Sequence, residues 1–106
     1  MPKYLWQASY TSEGAKGIRQ GGGTARRAAV KELIEKAGGK LEALYFAFGK
    51  ADAIVIADLP DQATAVAVSL AVNATGAAGL KTTVLLTPEE VDAAAKKSVD
   101  YRPPGS

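Results

Sequence analysis

Histidine and cysteine are both absent from the 106 residues. The chain therefore has no disulfide, Cys/His zinc site, axial-His haem ligation, thiolate nucleophile or Ser-His-Asp arrangement of its own. An excess of one charge is also missing. Thirteen Lys and Arg against 11 Asp and Glu leave a formal charge of +2, far from the concentrated basic field that counterion-release binding of nucleic acid requires. The N-terminal stretch Met1–Gln7 shows no apolar run with a small-residue cleavage site, so no secretion signal is read there. One uncharged run, Gln62–Leu80, has the length of a bilayer span. Its polar Gln62, Thr64, Ser69, Asn73 and Thr75, the interruptions at Gly76 and Gly79 and its many alanines point instead to a buried helix. The expectation is a soluble cytoplasmic protein with no nucleic-acid or membrane partner and no cofactor. A content of 47% hydrophobic and 23% charged residues is that of an ordinary folded domain.

Lys3 to Tyr10 alternates Tyr4, Trp6, Ala8 and Tyr10 with Lys3, Leu5, Gln7 and Ser9, the period of two expected of a strand. Thr11-Ser12-Glu13-Gly14 offers capping chemistry to a short helical turn through Ile18, and Gly21-Gly22-Gly23 interrupts it. A long helix restarts at Thr24, with Ala29, Val30, Leu33, Ile34 and Ala37 as its apolar stripe, and stops at Gly38-Gly39. Leu41–Phe48 and Ala53–Leu59 are strand-like runs joined by Gly49-Lys50-Ala51-Asp52, short enough to make them an antiparallel hairpin. Asp61 caps a second helix, whose face is traced by Ala65, Val66, Ser69, Leu70 and Asn73. Leu80–Leu86 reads as a fourth strand. Thr87-Pro88-Glu89-Glu90 is a capping box with proline at the first helical position, opening a short helix with Val91, Ala94, Ala95 and Val99 on one side. Residues 1–99 thus form a single domain, and residues 100–106 an extended tail.

The order β-α-β-β-α-β plus a C-terminal helix is the split pattern of ferredoxin-like α+β folds, with two helices on one face of a four-stranded antiparallel sheet. The other face is apolar as well. In the third strand Ile54 and Ile56 point opposite to Ala53, Val55 and Ala57, and the second strand sets Leu44, Phe46 and Phe48 against Ala43, Tyr45 and Ala47. Two helices cover one face of a sheet, so a second copy is expected on the other. Sheet-to-sheet pairing of a homodimer, or a higher homo-oligomer built on it, closes a dimeric α/β barrel and enlarges the small core.

Thr11 with Gly14, Lys16 and Ile18, the Gly38-Gly39-Lys40-Leu41 entry to the second strand, Tyr45 followed by Gly49 and Asp52, and Pro60-Asp61 together resemble the GYD-domain family over nearly the whole chain. The resemblance implies the dimeric α/β-barrel architecture and implies no particular reaction. Ala51 stands where the family has a tyrosine before Asp52, so no role of that ring carries over.

Three groups of residues are candidates for chemistry. Tyr4, Trp6, Tyr10 and Tyr45 could line an apolar pocket between paired sheets, with Tyr45 the best placed because Ala43 and Ala47 leave room beside it. Gln7 and Ser9 would supply polar contacts there. Core packing is the commoner role of strand aromatics. Gly22, Gly23, Thr24, Arg26 and Arg27 put backbone N–H groups and two guanidiniums at a helix restart, as an anion site does, yet they match no phosphate-loop motif, and a flexible turn with a solvated basic helix is the commoner reading of such a stretch. Glu13, Asp52, Asp58 and Asp61 match no metal-ligand spacing. Asp61 reads as a cap and Asp52 as a turn residue bonding its own backbone. Three functions stay open: a small-molecule binding module holding a mainly apolar ligand at Tyr45, Gln7 and Ser9, a cofactor-independent enzyme using a tyrosine and a carboxylate, and a structural oligomerising module.

Overall fold

The computed structural model describes residues 1–47 and 49–105. Phe48, which alternation places at the end of the second strand, lies outside them. The elements run β1 (Lys3–Tyr10), α1 (Ser12–Lys36), β2 (Lys40–Phe46), β3 (Ala53–Asp58), α2 (Gln62–Ala74), β4 (Ala78–Leu85) and α3 (Pro88–Ala95). The four strands pair antiparallel in the order β2-β3-β1-β4, the α+β ferredoxin-like arrangement.

The period of two in β1 and β3 sends Tyr4, Trp6, Ala8, Ala53, Val55 and Ala57 to one side, where they are buried beneath Ile34 of α1 and Ala65 and Val68 of α2. In β2 strict alternation fails. Leu41 and Leu44 lie three residues apart and both pack against this core, which is possible because the register slips between Leu41 and Ala43. Glu42 is the extra residue of a β-bulge.

Thr11 caps α1, its side chain accepting from Gly14 N. The helix continues past Ile18, where the sequence reading ended it. Gly22 leaves helical geometry at φ 81 and ψ 170, and α1 then goes on to Lys36. The interruption expected at the triple glycine is present, narrowed to Gly22, so α1 is two helical pieces that meet at a kink.

The uncharged run is divided between α2 and β4, and among the described residues no helix is long and apolar enough to cross a membrane. Asp61 caps α2, its carboxylate accepting from Thr64 N at 2.8 Å. The buried face of α2 differs from the expected one: Ala65 and Val68 enter the core and Val72 packs against it, while Val66 and Leu70 are exposed. The helix packs on β4, and Ala65, Val68 and Val72, at spacings of three and four, form the stripe that meets the core. The capping box of α3 forms as read, with Glu90 N donating to Thr87 Oγ1 at 3.1 Å and Thr87 N to Glu90 Oε1 at 3.0 Å. Yet α3 buries no residue, and positions 86–105 are exposed throughout. With extents of 56 × 32 × 23 Å, the chain has a radius of gyration of 16.8 Å, against roughly 13 Å for a compact chain of this length.

Candidate ligand-binding surfaces

Residues paired across strands share a face of the sheet. Tyr45, Ile54, Gln7 and Lys81 form one row on the face without helices, and Ala43, Ile56, Leu5 and Thr83 form the next. Leu5, Ala43, Ile54 and Ile56 are half-buried there, and Tyr45 stands 70% exposed beside them. Lys3 closes one end, its Nζ 2.9 Å from Glu42 Oε1 and 3.1 Å from Asp58 Oδ1. The hydrogen bond to Glu42, then that to Asp58, raises the lysine pKa above its ordinary 10.5. Ser9 closes the other end, its hydroxyl donating to Lys50 O at 3.5 Å. Tyr45 and Gln7 are two strand spacings apart, about 10 Å, so a molecule touching both would lie over Ile54.

Tyr4, Trp6 and Tyr10 do not join Tyr45. They point to the helical side of the sheet, and Tyr4 and Trp6 are 1% and 2% exposed. The period of two that made them a strand also separates their rings from Tyr45, because the cross-strand register sets Tyr45 opposite Ile54 and Gln7. Trp6 Nε1 donates to Thr82 Oγ1 at 2.9 Å, and the Thr82 hydroxyl shares a 2.6 Å hydrogen bond with Ser69 of α2.

The residues read as an anion site divide among three places. Thr24 and Arg27 line a groove of about 560 Å³ where α1 passes the edge of β2, and Tyr45 lines the same groove. Gly22 and Arg26 line another, of about 630 Å³, between α1 and α2. Gly23 lies under the Phe46 ring, which a Cβ on it would meet at 3.0 Å.

That inter-helix groove was not anticipated. Its signal was present as Gly14, Gly17, Gly21, Ala25 and Ala29, small residues at helical spacing on one side of α1. Arg26 sits where the groove meets a narrower cavity of about 40 Å³ reaching Trp6 and Val55. Its Nε is buried and has no hydrogen-bond partner among the described residues.

The carboxylates serve the framework. Asp58 pairs with Lys3, and Asp61 caps α2, where the Thr64 backbone and side-chain hydrogen bonds lower its pKa below 3.8. Asp52 Oδ2 accepts from Tyr10 N at 2.8 Å, fastening the β2–β3 connection to the end of β1 rather than bonding its own turn. Among the described residues no three acidic side chains cluster to hold a metal ion.

The model of the GYD domain matches residues 4–95. The chain belongs to the GYD-domain family. A comparison with curated proteins finds no match. The matched span runs from the first buried residue of β1 to the end of α3, so the GYD domain takes in the sheet except Lys3, both packed helices and Asp52 with its bond to β1.

Proposed function

We propose that this GYD domain is a homodimeric binding module for a small, mainly apolar molecule, with the helix-free faces of two sheets turned toward each other. The observation that carries this reading is the apolar patch of Leu5, Ala43, Ile54 and Ile56 on a sheet face that no helix covers. A solvated antiparallel face normally alternates with polar side chains, and large contiguous apolar patches are rare on monomers. Facing sheets lie about 10 Å apart. Leu5, Ile54 and Ile56 fill that depth, while the small Ala43 on the strand of Tyr45 does not. Tyr45 stands at the rim of the hollow so formed, and Gln7 or Ser9 would orient the polar end of a ligand.

Light scattering tests the pairing. A dimer is expected at micromolar concentration, and a monomer would overturn the reading. A thermal-shift screen tests the binding, because a ligand of the folded state raises apparent stability with its concentration. Tyr45→Ala is expected to abolish the shift, and a hit indifferent to that substitution would move the site elsewhere. The enzyme alternative needs a carboxylate or amine at the Tyr45 hydroxyl; Lys31 and Glu42 line the same groove, but among the described residues neither hydrogen-bonds to that hydroxyl.

A further inference from the structure

On the opposite side of the sheet from Tyr45, α1 rests on β1 and β2 while α2 rests on β4, and the groove of about 630 Å³ separates the two helices. This is a normal size for a small-molecule site. The α1 wall is bare backbone at Gly17, where a Cβ would meet nothing within 4 Å, and the α2 wall is Ala71 and Val72. Arg26 interrupts this apolar surface. Its Nε is buried without a partner, and Arg26 takes part in no ion pair among the described residues. An unpaired buried donor of a charged group is costly, and a planar guanidinium is most fully satisfied by a two-oxygen acceptor.

We infer that the groove is a binding site for a small monocarboxylate with an apolar body, its carboxylate held by Arg26. The charge count selects the head group. Among the described lining residues Arg26 is the cation and Glu13 the anion. Beside Glu13 a monocarboxylate leaves the groove one negative charge in excess and a phosphate dianion two, so the singly charged head is the better match to one guanidinium. The apolar body lies along the glycine and alanine walls, and the narrow cavity toward Trp6 and Val55 accepts its tip. The site is independent of how the open sheet faces pair.

Hexanoate and phenylacetate are the probes, with hexanamide as the uncharged control, measured by titration calorimetry and thermal shift on the full chain. Saturable binding of at least one acid is expected, weakened about ten- to a hundredfold in hexanamide and in Arg26→Met, which keeps the aliphatic stem and removes the charged hydrogen bonds. Gly17→Leu should block binding while leaving the fold intact, since its side chain enters open space on a helix that gains propensity. Failure of both acids to bind at millimolar concentration would overturn the inference. So would equal affinity in Arg26→Met, or acid binding that is lost in Tyr45→Ala and kept in Gly17→Leu.

Discussion

Thr82 holds three elements together through one hydroxyl. It accepts from the indole of Trp6 on β1, shares a hydrogen bond with Ser69 on α2, and belongs to β4. Thr82→Val keeps the β-branched shape and leaves the Trp6 N–H unsatisfied in a position 2% exposed. A loss of about 1–3 kcal/mol is expected from urea unfolding, and an unchanged midpoint would show that the indole finds another acceptor. Asp61 gives a pH signature. Its pKa is lowered in the folded chain, first by the Thr64 backbone hydrogen bond and then by the Thr64 side chain. The cap's contribution is therefore fully present above the unfolded value near 3.8 and is lost as pH falls through the lower folded value. Asp61→Asn should flatten that acid limb of the stability profile, measured as the urea midpoint from pH 6 down to about 2. Both Asp61 and Thr87 were legible in the sequence because cap and recipient lie three residues apart. Asp52 was misread because its partner, Tyr10 N, lies 42 positions away, and no local pattern reports a contact between strands.

At the scale of elements the same distinction holds. The order of strands and helices followed from periodicity and turn residues, whereas the bulge at Glu42 and the exposed face of α2 depend on what each element packs against. The kink in α1 lies between these cases: the glycines announced an interruption, and the tertiary fold reduced it to one residue. Gly22 at φ 81 and ψ 170 occupies a region essentially closed to other residues. A Cβ there meets no neighbour within 4 Å, so strain alone opposes substitution. Gly22→Ala is expected to destabilise by about 1–3 kcal/mol in chemical denaturation, and a neutral result would mean that α1 straightens freely. The capping box of α3 calls for a different readout. Substituting an N-cap threonine ordinarily costs about 0.5–2 kcal/mol, but α3 buries nothing in its own chain, so its opening is not coupled to the core. Thr87→Ala should speed amide exchange at Val91 to Ala94 and leave the cooperative unfolding midpoint in place. A shifted midpoint would mean that α3 packs against something a single chain does not contain.

The whole molecule is asymmetric about its sheet. Among the described residues one side holds the large core side chains, including Tyr4, Trp6, Ile34, Leu59 and Val68, while the other presents Leu5, Ile54 and Ile56 with no layer over them. A domain of this length buries a modest share of its surface and is marginal on one core alone, so a second layer contributed by another copy would raise stability as well as cover the patch. Stability should then depend on protein concentration, because association stabilises the folded state by mass action. Thermal unfolding followed across a hundredfold range of concentration should give a rising midpoint for the native chain. Ile54→Asp places a charge in the central row between Gln7 and Tyr45, where it is solvated in a monomer and unpaired in a sheet-to-sheet dimer. That variant is expected to unfold at a lower midpoint that no longer moves with concentration, and to scatter light as a monomer. If its midpoint still rises with concentration, association uses a surface other than the open face, and the hollow at Tyr45 loses the second wall that would make it a binding site.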